Sequence, residues 1–238
     1  MSNVCIRETP FGRFLTSDWD IVPREIGTGK FWDPHIKPVY DQYIKKDSIC
    51  MDVGAHCGFH ALYMSKMCKK VYAFEPQPYI FCQLCGNIFI NDRRNIIALN
   101  LAAYDKECEL TITNAGQLVK FNINEDGVDY LNCANSAGIA LSPRAGSGLS
   151  MKAITIDSLN LPSLCLIKCD AQGSDLRVLM GARQTIIRCR PIIIFEYEEE
   201  LVKIHNHTYQ DHLDFFKSLE THYNIKKLDV RDHLCLPE

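Results

Sequence analysis

The run from Ser48 to Gly58, Ser-Ile-Cys-Met-Asp-Val-Gly-Ala-His-Cys-Gly, constrains this chain more than any other segment. Its first part, Ser48 to Val53, is a short apolar strand pattern that ends in glycine. Helical spacing follows at once, with Leu62, Tyr63, Lys66 and Met67 spaced along Phe59 to Cys68. A strand, a tight glycine turn and a helix in that order open an α/β unit. The pattern then repeats. Val71 to Phe74 reads as a buried strand. Pro78 suits the first turn of a helix that runs to about Ile90, with Ile80, Phe81, Leu84 and Ile88 as its apolar face. Ile96 to Leu99 reads as a third strand. Strand–helix–strand–helix–strand predicts a parallel sheet with right-handed crossovers.

After an interruption the same alternation returns. Leu164 to Cys169 is a strand pattern, Ser174 to Met180 and Ala182 to Cys189 are helical, and Pro191 to Phe195 is wholly apolar, as a central strand must be. Tyr209 to Glu220 is amphipathic, with Leu213, Phe216 and Leu219 inward, and Ile225 to Leu228 suits a last strand. The expected fold over 48–238 is therefore Rossmann-like α/β, a mostly parallel doubly wound sheet. Two regions stand outside it. Residues 1–47, with Pro10, Pro23, Pro34 and Pro38, read as an irregular N-terminal extension with one short helix near Val39 to Ile44. Residues 105–150 read as a β-rich insertion: Glu107 to Thr113 alternates, Gln117 to Ile123 is its expected hairpin partner, and a Gly-, Asn- and Ser-rich stretch follows. Such a segment suits acceptor contacts, with Asn135 and Ser136 beside Gly138 as the candidates.

Composition narrows the function classes. With 238 residues the chain can bury a core without staples. A net charge of −3 gives no global field toward nucleic acid, so none is expected as a partner. No apolar run approaches membrane length, and no secretory segment follows Met1, so the expected location is the cytoplasm. The 12 cysteines suit a reducing compartment, where thiols pack as small hydrophobes. Cys82 and Cys85 form a CxxC without a second ligand pair, and His205, His207 and His212 read as a solvated face, so no metal is predicted from either.

In doubly wound sheets the ligand sits outside the carboxyl ends of the strands. Gly54 lets the chain turn tightly there, and Gly58 lets the next helix pack close. The spacing Gly54-x-x-x-Gly58, preceded by Asp52, differs from the G-x-G-x-x-G of a pyrophosphate site. A carboxylate at that place would repel a pyrophosphate but suits the cationic groups of S-adenosylmethionine (SAM). Glu75, at the end of the second strand, is placed to accept from both hydroxyls of a ribose. Asp170 and Glu196 close the fourth and fifth strands. Four acids at four strand ends point to one shared cleft. A nicotinamide-dependent oxidoreductase is the alternative on a related fold, and a non-catalytic binding module is another.

Four segments, "MDVGAHCGFHALYMSK", "VYAFEPQPYIFCQLCGNIFIN", "AITIDSLNLPSLCLIKCDAQGSDLRVLMGA" and "RPIIIFE", resemble the FkbM-type methyltransferases. The resemblance covers roughly Ile49 to Glu196. It implies a class I methyltransferase sheet, SAM as methyl donor, and O-methylation of a hydroxyl on a sugar, glycan or similar small molecule. It assigns SAM contacts to Asp52, Gly54, His56, Gly58 and Glu75, with Ala55 and Pro76 beside them in the two turns. It matches Asn87 and Asn91 to a helix motif and Asp170 to the acid after the fourth strand. Gln172 and Asp175 depart from it, since glutamates are usual there. Asp170 is the expected general base and Glu196 the second candidate. Asp170 would also suit a divalent cation, but no second ligand is readable. His56 and His60 remain open as further candidates, because no partner that would orient either imidazole is legible.

Overall fold

The computed structural model of the chain describes residues 4–112, 122–124, 127–130, 133–143 and 149–238. The N-terminal part holds β1 (Val4–Thr9), β2 (Gly12–Ser17), α1 (Ile21–Ile26) and α2 (Lys37–Tyr43). The core then alternates as expected: β3 (Ile49–Val53), α3 (Phe59–Ser65), β4 (Lys70–Phe74), α4 (Pro78–Ile90) and β5 (Ile96–Leu99). Between the two halves of the core, in and around the insertion, lie β6 (Ala102–Ala103), β7 (Cys108–Thr111), β8 (Ile123–Asn124), β9 (Gly127–Val128) and β10 (Ser150–Ile154). The second half of the core follows: β11 (Leu166–Cys169), α5 (Asp175–Met180), α6 (Arg183–Cys189), β12 (Ile192–Glu196), α7 (Glu199–Val202), α8 (Tyr209–Lys217), β13 (Tyr223–Lys227) and β14 (Asp232–Pro237).

Seven strands form the central sheet in the order β13-β14-β12-β11-β3-β4-β5. The neighbours from β12 to β5 run parallel, whereas β14 is antiparallel to both β12 and β13. Chain order reverses between β3 and β11, and that switch point is where a doubly wound sheet opens a crevice. Strand residues alternate between two cores. Cys50, Leu166 and Ile194 pack toward α2 and α3, and Met51, Ile167, Ile193 and Phe195 pack toward α5 and α8. The period of two therefore puts Asp52 and Lys168 on the first of these faces, directly opposite each other across β3 and β11.

Three parts of the chain differ from the sequence expectation. The N-terminal extension is not irregular with one helix: β1 and β2 form an antiparallel hairpin, and two helices follow. The hairpin is hard to read because Val4 and Ile6 are exposed, so β1 shows no inward alternation. In the insertion, β7 pairs with β10, which also pairs parallel with β6. The partner expected for β7 falls largely on residues 113–121, outside the described residues. Strand β14 was not expected at all. It lies between two strands, so its apolar run is buried on both faces and shows no alternation.

No helix among the described residues is long and apolar enough to cross a membrane.

Candidate functional site

The glycine turn is built by contact with two other strand ends. Gly54 has φ +75°, and a Cβ there would lie 1.9 Å from the carbonyl oxygen of Asp170. Only glycine allows β3 and β11 to approach this closely. The amides of Gly54 and Ala55 both donate to the carbonyl of Phe74, at 3.1 and 2.8 Å. The turn is held from behind by Asn87, fully buried on α4, whose Nδ2 donates to the Cys57 carbonyl at 2.8 Å. Asn87 Oδ1 accepts from the Leu15 amide at 2.7 Å, and Asn91 Oδ1 accepts from the Arg13 amide at 2.9 Å. Asn87 thus ties the N-terminal hairpin to the turn, and Asn91 ties it to the end of α4.

Glu75 is buried beside it. Its Oε2 accepts from the His56 amide at 2.9 Å and its Oε1 from the Gln77 amide at 2.8 Å. Each oxygen keeps a second lone pair for a ligand. Burial pushes its carboxyl up to about 7.

A cavity opens at this switch point. Of the residues expected to touch cofactor or acceptor, Gly54, Ala55, His56, Glu75, Pro76 and Asp170 line it. Asp52, Gly58, Glu196, Asn135 and Ser136 are not among its lining residues. Gly58, at φ +88°, packs against Leu84 as α3 begins. Asn135 accepts from the Gly138 amide at 3.3 Å. Ser136 is fully buried and bonds His56 and Asp20.

The floor of the cavity is charged. Lys168 interrupts an apolar strand, and its ammonium, almost wholly buried, lies 3.2 Å from Asp170 Oδ2 and 3.9 Å from Asp52 Oδ1. Burial works against that charge, but Asp170 and Asp52 outweigh it and hold the lysine protonated. Asp52 is fully buried, and neither of its carboxylate oxygens has a hydrogen-bond partner. Burial pushes its carboxyl up. Asp170 is affected the other way. Burial would raise it, yet Lys168 and the Gln172 amide bring it below the ordinary carboxylate range. Burial, with the charge of Asp170 beside them, raises Glu196 and Asp175 instead.

Gln172 explains the position of Glu196. Its amide nitrogen donates to Asp170 Oδ1 at 2.8 Å and to Glu196 Oε2 at 3.1 Å. Glu196 also faces Arg231 at 3.4 Å. Asp175 does not converge on Asp170 as a second ligand: its oxygens accept from the amides of Ala171 and Glu196, at 3.3 and 3.2 Å.

The partner that no sequence pattern showed for His60 is Asp33, 3.4 Å from its Nε2, with Tyr40 3.3 Å from its Nδ1. Asp33, His56 and Gln172 all have φ near +50°, an uncommon backbone region for residues other than glycine. Such conformations gather at functional sites. Among the described residues, His35, Asp229 and Asp232 alone bring three metal-capable side chains within 4.8 Å.

A model of the FkbM methyltransferase domain matches residues 52–223, most of the chain. The chain belongs to the FkbM methyltransferase family. SAM is the cofactor of that family, and the dinucleotide alternative falls with the assignment. The solved methyltransferase FkbM from Methylobacillus flagellatus KT is 15% identical with a TM-score of 0.50, over 81% of this chain and 44% of its own. This chain thus spans less than half the length of that protein. A Streptococcus mutans protein, SMU.1697c, solved in complex with SAH, is 12% identical with a TM-score of 0.51, over 87% of this chain and 99% of its own. Wild-type Trm5b from Pyrococcus abyssi is 11% identical with a TM-score of 0.50, over 98% of this chain and 54% of its own. These likenesses show the class I methyltransferase fold. No curated protein matches the chain in sequence.

Proposed function

We propose that this FkbM-family chain transfers a methyl group from SAM to a hydroxyl of a sugar, glycan or similar small molecule. The observation that carries the reading is the pairing, across one cavity, of a buried ribose-reading carboxylate at Glu75 with an ionised carboxylate at Asp170. The residues present fit SAM. Asp52, buried beside Lys168 with no hydrogen bond on either carboxylate oxygen, leaves acceptor capacity beneath the cavity, which suits the cationic groups of the cofactor. Glu75 would hold the ribose hydroxyls, and Gly54, Ala55 and His56 would face the remaining polar groups of the cofactor. When bound, SAM supplies a methyl group on a sulfonium, a leaving group that needs no proton.

The protein's own part is to seat the acceptor and accept its proton. Asp170 lines the cavity and stays ionised at neutral pH, so it is always able to accept. The Lys168 ammonium and the Gln172 amide fix its two oxygens, which limits the directions from which a hydroxyl can approach. Glu196 acts one layer back, through Gln172, and keeps the amide turned toward Asp170. Gln172 in place of a glutamate gives this pair of acids a shared donor instead of a third negative charge. The lining around Trp32, Phe59 and Ala137 is apolar and excludes water from the transfer.

The test is a screen of hydroxylated acceptors, sugars first, with labelled SAM and the purified chain. Label in a neutral hydroxylated product, abolished by Asp170→Asn, is the expected result. Label found only in RNA or protein would overturn the acceptor class.

A further inference from the structure

Asp20, Ser136 and His56 come from three separate parts of the chain and meet in one buried cluster at the side of the cavity. Asp20 directly precedes α1, where a short acid ordinarily caps free amide groups. It makes no capping bond. Its carboxylate turns inward, fully buried, and accepts from the Ser136 hydroxyl. A hydroxyl has one proton and two lone pairs. With the proton directed to Asp20, the Ser136 oxygen accepts from His56 Nε2 at 2.7 Å. His56 Nε2 also stands 3.4 Å from Asp20 Oδ2. Burial opposes charge on the imidazole, but Asp20 outweighs it and holds the ring protonated.

The bonds around Ser136 reach further. Its carbonyl accepts from Gln77 Nε2 at 3.1 Å, and the Ile21 amide donates to the Ala134 carbonyl at 3.1 Å. One short stretch of the insertion is thus tied to the glycine turn, to the loop after β4 and to the start of α1. The same stretch supplies Ala137, Ile139 and Leu141 to the cavity wall, while Ser136 and Asp20 stay behind it. Asp20 Oδ1 and His56 Nδ1 are buried without a hydrogen-bond partner. Unpartnered buried atoms cost stability, and an apolar contact would hold the same segments together more cheaply. The cluster therefore serves the cavity more than the fold.

We propose that Asp20 and Ser136 are cofactor-positioning residues, a latch that holds the 133–143 segment onto His56 and keeps the cofactor side of the cavity closed. The inference rests on the cavity being the SAM site. Neither residue lines that cavity, so breaking the latch speeds release of cofactor without removing a contact to it.

The test follows S-adenosylhomocysteine binding by stopped-flow fluorescence, using Trp32 in the cavity wall as reporter. Ser136→Ala and Asp20→Asn are each expected to raise the dissociation rate about tenfold, with the association rate changed less than about twofold. Two residues acting as one latch are not additive, so the double variant should release no faster than the faster single variant. Unfolding midpoints are read beside the rates. If Asp20→Asn does not fold, Ser136→Ala alone carries the rate test. A folded Ser136→Ala with an unchanged dissociation rate overturns the latch, and so do additive effects in the double variant. Absence of binding to folded wild-type protein is a different failure: it removes the SAM reading first and the latch with it.

Discussion

Lys168 sets the chemistry of the residues around it. It is the cation between Asp52 and Asp170, and its loss has two separable effects. Lys168→Met leaves Asp52 buried and uncompensated, which should lower stability by about 3 kcal/mol in urea unfolding at neutral pH. It also removes the charge that holds the Asp170 carboxyl down, so the acid limb of the pH–rate profile should move to higher pH. Asp170→Asn should cut turnover by about 100-fold or more while S-adenosylhomocysteine affinity stays within about threefold. Near-normal single-turnover rates would remove Asp170 as the base. Glu75 supplies a pH test of the site. Burial lifts its carboxyl from 4.5 to about 7, so the free protein carries it protonated below that pH and ionised above. A protonated carboxyl gives up an acceptor position, so cofactor binding should weaken as pH falls, by about tenfold between pH 8 and pH 6. Titrations of a Glu75→Gln variant should show no such slope. At this scale the sequence showed the acids at the strand ends, because strand ends can be read from apolar runs. It did not show which acids reach the cavity. Asp52 and Glu196 end their strands as Asp170 does, yet the lysine opposite Asp52 and the glutamine before Glu196 stand between them and the open space. The partners of His56 and His60 lie 36 and 27 residues upstream, at Asp20 and Asp33, and no local pattern joins them.

At the scale of elements, the close approach of β3 to β11 decides the site. Gly54→Ala would place a Cβ against the Asp170 carbonyl at a φ that disfavours it. We expect a loss of at least about 2 kcal/mol in thermal or urea unfolding, together with loss of turnover, because the turn can relax only by moving Asp170. A variant with unchanged stability would mean that the two strand ends are not in contact. The strands and helices around this turn were legible because each is a continuous apolar run or a helical stripe. Strand β14 was not, since its buried run, His233, Leu234 and Cys235, lies between two neighbours and has no period to detect. The β1–β2 hairpin was not either, because its outer strand leaves Val4 and Ile6 in solvent.

At the scale of the whole molecule, the central sheet is braced from both ends of the chain. The N-terminal hairpin is held on α4 by Asn87, behind the glycine turn, and by Asn91, at the helix end, and the last strand, β14, enters between β12 and β13. Truncation after Leu228 removes β14 and leaves β13 without a partner. Such a chain should lose its cooperative unfolding transition by circular dichroism, and a retained transition would show that the sheet does not depend on its C-terminal strand. The parallel order of the core could be read from the alternation of strands and helices. The placement of β14 could not, because an antiparallel entry between two strands depends on long-range packing.

The central claim is that the cavity at the switch point binds SAM through Glu75. Calorimetric titration of the purified chain with S-adenosylhomocysteine, beside a Glu75→Ala variant of matched folding, tests it most directly. Micromolar binding to the wild type that is lost in the variant is the predicted result. No binding to folded wild type, or equal binding to both proteins, would contradict it.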